Sequence, residues 1–273
     1  MQSHLLNIYR TDLILTDQSI VVAVIKLIKM KWLFVLSCVV FVQSAKNLPS
    51  FVEVCPRDNI KTAECVERNI KKLIPMLAKG IPELAVPPLD PLHLPSADIA
   101  ASAGFSATLK DVKLYHLDNL IVHNIFMNFD TKQWGVDATF PSLGIESDYK
   151  MNGKLLVFEL NGEGKTRGNM TNIRANLTVF FDYTTVNGKE HLQIKDTKQK
   201  LEIEKGSFVF DDLFPGNEEL TERATKILNE NYRVLLDEFT PVFEKLLSSL
   251  CVSVLKNLYK KYPSEVLFPT SVN

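Results

Sequence analysis

Between Asn217 and Tyr262 the apolar residues fall at Leu220, Ala224, Ile227, Leu228, Tyr232, Leu235, Phe239, Val242, Phe243, Leu246, Leu247, Leu250, Val254, Leu258 and Tyr262. Steps of three and four residues have the period of an α-helix. The ends agree: Asn217 suits an N-cap, Glu218, Glu219 and Glu222 suit the positive end of the dipole, Lys260 and Lys261 suit the other end, and Pro263 stops the run. Such a helix is on the order of 65 Å long at ~1.5 Å per residue, about twice the width of a small domain. Pro241 predicts a kink near Glu238, because it removes a backbone hydrogen bond. From Phe239 to Leu258 the stripe broadens, with Glu244, Lys245 and Lys256 as its charged interruptions. A coiled coil buries a narrower seam, so this helix calls for a long apolar sheath from the rest of the chain.

The region from Phe105 to Asp211 supplies it. In KQWGVDATF, Trp134, Val136, Ala138 and Phe140 share one face of a strand, opposite Gln133, Asp137 and Thr139. In ANLTVFFDYTT, Leu177, Val179, Phe181 and Tyr183 stand opposite Asn176, Thr178, Asp182 and Thr184. NLIVHNIFMNF is apolar on both parities, which predicts a central strand covered on both sides. Turns are expected at Asp130-Thr-Lys, Asn152-Gly153, Asn161-Gly162 and Asn187-Gly188. Hairpin turns between alternating runs mean antiparallel pairing, with about seven strands by this count. The fold class that meets every burial demand is α+β: a strongly curved antiparallel sheet wrapped along the long C-terminal helix, with a short N-terminal helix. That short helix is VERNIKKLIPMLAKGIP, apolar at Val66, Ile70, Leu73, Ile74 and Leu77, with Pro75 inside and Gly80-Ile-Pro at its end. A proline-rich connector from Pro82 to Pro95 follows it.

The first residues read differently. Met30-Lys31 followed by WLFVLSCVVFVQSA has the basic start, apolar core and small residues of a secretory signal, with cleavage after Ser44 or Ala45. Residues 30–45 are therefore expected to be the signal peptide, residues 1–29 an upstream extension of doubtful translation, and residues 46–273 the secreted domain. Mapping the N terminus of the secreted protein checks this. Ile20 to Val42 is long enough to span a bilayer, but Lys26, Lys29 and Lys31 each cost about 2.5–3.5 kcal/mol near its centre, so stable membrane insertion is not expected. In an oxidising compartment Cys55 and Cys65, close in sequence, are best read as a disulfide, which leaves Cys251 as a buried, inert thiol on the long helix. The sequons at Asn169 and Asn176 become candidate glycosylation sites.

The formal net charge is −1, and residues 46–273 are slightly more acidic than the whole. No basic run or helix face stands out, so nucleic acid is not an expected partner. His93, His116, His123 and His191 are scattered without metal-ligand spacing, and no metal or cofactor is expected. His123, on a mostly apolar strand, reads as a satisfied core histidine. The segment NGEGKT ends like a phosphate-binding loop, but Glu159 stands where that motif requires glycine and more strand follows, so it reads as a hairpin turn. With no nucleophile elbow and no catalytic constellation, the chain does not read as an enzyme.

The order of these segments carries a resemblance. Gly80-Ile81-Pro82, Asp90-Pro91-Leu92, the LF-x-GN-x-x-L run from Leu213 to Leu220, and LNEN from Leu228 to Asn231 resemble the takeout family, relatives of insect haemolymph juvenile hormone binding proteins. Tyr232 stands where family members often carry Trp, and Cys251 lacks the partner that gives the hormone carriers a second disulfide, which places the chain nearer the takeout branch. The resemblance implies a long helix wrapped in a curved sheet, with an internal tunnel for a terpenoid or fatty-acid-like lipid.

Two functions compete at this point. One is a secreted, monomeric, extracellular carrier of a small hydrophobic ligand. The other is a secreted signalling factor with a filled core, whose partner would be a protein receptor. Sixteen Phe against two Trp suit a lipid-lined interior. For the carrier, the expected lining is Phe239, Phe243, Leu246, Leu247 and Leu250 on the helix. Opposite stand Trp134, Val136, Phe140, Leu177, Val179 and Phe181, with Tyr149 and Tyr183 offering hydroxyls to an oxygenated head group.

Overall fold

The computed structural model describes residues 48–100, 104–155 and 157–270, and residues 47–273 form one compact unit. The expected signal peptide at 30–45 and the extension at 1–29 lie outside the described residues. Helix α1 (Asn59–Leu77) starts where the Asp58 carboxylate accepts the Lys61 amide at 2.9 Å, and it continues through Pro75. It begins before Cys65, not after it as the sequence suggested, so Cys65 sits inside the helix and is disulfide-bonded to Cys55. Gly80, at φ +77°, then turns the chain; a Cβ there would lie 2.7 Å from the backbone nitrogen of Pro88.

Six antiparallel strands follow: β1 (Leu92–Ala100), β2 (Phe105–Tyr115), β3 (Ile121–Asn128), β4 (Gln133–Leu155), β5 (Phe158–Val186) and β6 (Lys189–Phe210). Their spatial order is β1-β2-β4-β5-β6. Strand β4 is long enough to carry two neighbours end to end on one edge: β3 pairs with residues 133–139 and β2 with 144–153. Pro141, which has no N–H to donate, falls in the gap between them. Part of the proline-rich stretch read as a connector is thus strand β1.

Two expectations about the strands fail for definable reasons. NLIVHNIFMNF is not a central strand; β3 pairs with β4 alone, burying Val122, Ile125 and Met127 and exposing Ile121, His123 and Phe126. An irregularity between Val122 and Asn124 shifts its register, so apolar residues of both parities reach one face. His123 is accordingly on the surface, with Nε2 2.8 Å from the Thr139 hydroxyl. The second failure concerns the turns. Asn187-Gly188 does turn, with φ of 51° and 75°, and so does the segment around Asp130. Asn152-Gly153 and Asn161-Gly162 instead face each other inside β4 and β5, which reverse between Leu155 and Phe158. The glycines serve close backbone approach: a Cβ on Gly162 would meet the Leu213 carbonyl at 2.6 Å, and one on Gly164 the Asp211 carbonyl at 2.4 Å. NGEGKT is therefore strand crossed by a loop, and not the hairpin turn expected.

The C-terminal stretch is two helices, α2 (Glu218–Glu230) and α3 (Tyr232–Lys261), followed by a short turn of helix, α4 (Ser264–Leu267). The break falls at Asn231, not at Pro241, which sits within α3. Asn231 leaves helical geometry at φ −108°, ψ 32° and donates its side-chain amide back to the Ile227 carbonyl at 2.8 Å. The neighbouring Asn229 is bound to β6, donating to the Phe208 carbonyl at 2.7 Å and accepting its amide at 2.8 Å. Glu244 accepts the Leu201 amide at 2.8 Å. As β6 ends the sheet, these side chains cap backbone groups that would otherwise be an open edge. Strands β1 and β6, at opposite ends of the sheet order, both pack on α3, so the sheet curls around that helix.

Candidate functional site

Along one stripe of α3, Phe243, Leu246, Leu247 and Leu250 recur at the spacing of a single helix face. They form one wall of an apolar cavity of about 40 Å³. The curled sheet makes the rest. Leu92 and Leu94 come from β1, Leu114 from β2 and Leu117 from the turn after it. Phe140 and Leu143 come from β4, Met170 and Ile173 from β5, and Leu201 and Ile203 from β6. Every lining side chain is Leu, Ile, Phe or Met. Such a surface offers no charge and no hydrogen bond, so it can hold only a molecule whose contacting part is hydrocarbon.

The cavity lies where the sheet changes parity. In β5 the inward residues are Thr166, Gly168 and Met170 on one side of Asn172, and Ile173, Ala175 and Leu177 on the other. Asn172 itself has φ +51° and donates to the Glu204 carboxylate at 2.8 Å on the outer face. In β4 the same switch occurs at Pro141, and in β6 between Ile203 and Gly206. Phe140 opposes Ile173, which opposes Ile203, and Leu143 opposes Met170, which opposes Gly206. A flat strand turns residues i and i+2 to one face; here i and i+3 both point inward. The dislocation gathers side chains that strict alternation would send to opposite faces, and the helix bridges them.

Of the residues expected from sequence to line a tunnel, Phe140, Phe243, Leu246, Leu247 and Leu250 line this cavity. The others lie elsewhere. Phe239 is buried against Phe208, ring centroids 6.1 Å apart, one helical turn before Phe243. Val136 opposes Leu177, and Trp134 opposes Val179, on rungs further along the sheet. Trp134, Phe181 and Tyr183 belong to a separate cluster with Tyr259, Tyr262 and Phe268. Tyr149 does not present its hydroxyl to the cavity; it donates to the Asp211 carbonyl at 2.6 Å, and its acidity is suppressed first by burial, then by Asp212 and Asp211. Tyr183 lies under the Arg57 guanidinium, 5.4 Å from the ring centroid. Asn169 and Asn176 are both on the exposed face of β5, and Asn176 donates to Asp137. Cys251, expected to be buried, is half-buried as a residue, yet desolvation pushes its thiol up to about 11, in keeping with an unreactive group.

Sequence reasoning missed Leu92, Leu94, Leu114, Leu117, Leu143, Met170, Ile173, Leu201 and Ile203. The alternation in Leu92-His93-Leu94 was a usable signal for the first two. Val112-Lys113-Leu114 and Leu201-Glu202-Ile203 alternate in the same way, whereas Leu143 and Met170 are brought beside Phe140 and Ile173 by a parity switch made between strands, which no local pattern carries. Among the described residues there is no group of His, Cys, Asp and Glu that could hold a metal, and no helix is long and apolar enough to cross a membrane.

The sequence profile of the haemolymph juvenile hormone binding protein family matches residues 33–269. The circadian clock-controlled protein daywake of Drosophila yakuba is 26% identical over 250 residues, covering 87% of this chain and 95% of that protein. A candidate beta-carotene-binding protein of Schistocerca gregaria is 22% identical over 211 residues, covering 75% and 82%. In three dimensions the chain is similar to the crystal structure of Epiphyas postvittana Takeout 1, with a TM-score of 0.67 at 24% identity, covering 75% of this chain and 95% of that one. That likeness extends to the fold: a curled antiparallel sheet around a C-terminal helix.

Proposed function

The chain belongs to the haemolymph juvenile hormone binding protein family, and from that premise we propose that it is a secreted, extracellular carrier of a small hydrophobic ligand, terpenoid or fatty-acid-like. The observation that carries this reading is the cavity between α3 and the sheet, whose lining holds no polar side chain. Each CH₂ taken from water into such a surface contributes roughly 0.8 kcal/mol, enough for a ligand of ten or more carbons to offset association costs. The secreted domain is residues 46–273, acting as a monomer without cofactor. No catalytic role is proposed.

The size of the cavity adds a condition. About 40 Å³ is far below the roughly 300–1,000 Å³ of pockets that enclose a drug-sized ligand. A terpenoid does not fit in it as it stands. Binding therefore requires Phe243, Leu246, Leu247 and Leu250 to draw away from the strands opposite them. The same small volume favours the second reading, a secreted signalling or receptor-binding factor whose core is filled and needs no ligand. Native mass spectrometry of the protein purified from secreting cells separates the two. The carrier reading expects a co-purifying lipid, or saturable binding of a fluorescent fatty acid at about one per chain. Absence of both, across fatty-acid and terpenoid probes, leaves the signalling reading.

A further inference from the structure

Inward-facing positions of β6 run Leu192, Ile194, Thr197, Gln199, Leu201 and Ile203. Leu201 and Ile203 belong to the cluster around the cavity, and Leu192 and Ile194 to the aromatic cluster beyond it. Thr197 and Gln199 stand between the two. On helix α3, Leu250 packs with the first cluster and Leu255 with the second, and the buried Ser248 lies before both, one residue after the cavity-lining Leu247. The Ser248 and Thr197 hydroxyl oxygens are 3.0 Å apart. The Oε1 of Gln199 is buried and has no hydrogen-bond partner, although its strand neighbour across the rung, Leu177, is apolar. A buried amide oxygen is unfavourable until a donor reaches it.

We infer that Thr197, Gln199 and Ser248 form a polar septum that ends the cavity and binds the hydroxyl end of an apolar alcohol. The inference rests on the carrier reading and gives its ligand a direction. Leu201, two residues from Gln199 on the same strand face, and Leu247 and Leu250, which flank Ser248 on α3, all line the cavity. A hydrocarbon chain lying against them brings its end group to the septum. A hydroxyl there donates to Gln199 Oε1. Of the two hydroxyls in the Thr197–Ser248 pair, one donates to the other, leaving one hydrogen to donate to the ligand oxygen. A hydroxyl uses both contacts; an ether can only accept. The septum also sets the length of ligand accepted, since a longer chain would press apolar carbon against Gln199.

The test compares dodecan-1-ol with its methyl ether as competitors of a fluorescent fatty acid, on the intact secreted chain and on Gln199→Leu. Wild type is expected to hold the alcohol about three- to tenfold more tightly, the value of a neutral hydrogen bond in a dry site. Gln199→Leu should bring the two within about twofold by weakening the alcohol and leaving the ether. A role confined to packing would shift both ligands alike and overturn the assignment. Equal binding of both by wild type, or a preference that survives the substitution, overturns the septum and leaves the carrier standing. Binding of the fluorescent fatty acid with no competition from either ligand overturns the septum alone, and no binding of the fatty acid by wild type overturns both. Should Gln199→Leu not fold, Gln199→Met keeps the side-chain length and makes the same comparison.

Discussion

Two regions of the molecule are built on different principles. Around the cavity, Phe243, Leu246, Leu247 and Leu250 of α3 face Phe140 and aliphatic side chains of the sheet with no polar group in the lining, while Glu244 and Ser248 tie α3 to β6 beside it. In the cluster around Phe181 the packing is aromatic and cross-tied by charge and hydrogen bonds. Phe129 lies edge-on to Phe181 and Phe268 at 6.4 and 5.5 Å, and Arg57 sits over the rings of Phe129 and Tyr183 while pairing with Glu190 at 3.2 Å. The Cys55–Cys65 disulfide and the buried His191, whose Nδ1 is 2.7 Å from the Tyr259 carbonyl, complete it. Aliphatic contacts are non-directional and can slide or part at the cost of exposed area alone. Ring-edge geometry, cation–π pairs and hydrogen bonds hold one arrangement. The contrast teaches that a protein which must open to admit a ligand can do so beside an aliphatic lining while a cross-tied cluster keeps the helix registered on the sheet.

The sharpest way to break this comparison is in the cross-tied cluster. Phe181→Ala removes a ring that is buried between Phe129 and Tyr183, and is expected to cost about 3–5 kcal/mol in denaturant unfolding. Ligand affinity of the folded fraction should stay unchanged, and a selective loss of binding would move the site toward Phe181. Cys55→Ser comes next. Releasing a loop of sequence separation 10 costs about 2–3 kcal/mol on the chain-entropy account, visible as a lower melting temperature. Finding both thiols free by alkylation mapping of the secreted protein would contradict the bridge itself.

Beside α3, Leu247→Phe takes up part of the cavity of about 40 Å³. The expectation is at least a tenfold loss of fluorescent fatty-acid affinity, about 1.4 kcal/mol, with little change in stability. A solid core would respond the other way, losing roughly 1–3 kcal/mol of folding free energy with binding intact. The smallest effect expected is that of salt. No charged group lines the cavity, so raising ionic strength across the range that screens surface charge should change affinity by less than about twofold. A steep decline would point to a charged mouth and an acidic ligand head held outside the septum.

Helix content, antiparallel pairing and the sheath argument were legible in the chain because they follow from local periodicity. The stripe from Leu220 to Leu258 had to be helical, and it demanded more apolar cover than a small globule provides. The Cys55–Cys65 pairing was legible from closeness in sequence, and the wet face of Asn176 from simple alternation. The helix break was half legible. Pro241 was the visible signal, yet the chain breaks at Asn231, because Asn229 is drawn off to bind Phe208 of β6 and Asn231 turns its amide onto Ile227. A proline within a helix packed on a sheet costs one hydrogen bond; a side chain claimed by a strand edge redirects the backbone.

The sequence by itself determined which residues are apolar, at what period, and hence that a long amphipathic helix must lie inside an antiparallel sheet. Tertiary structure alone decided which of those apolar residues face the same space. Alternation carries a parity forward along a strand without limit, and it placed Val136, Leu177 and Val179 beside Phe140. The folded sheet changes parity at Pro141, Asn172 and the Ile203–Gly206 step together, since strands hydrogen-bonded to one another must bend on a common line. That line brings Leu143 and Met170 round to join Phe140 and Ile173. No window along the chain contains it, because it is a property of three strands in register.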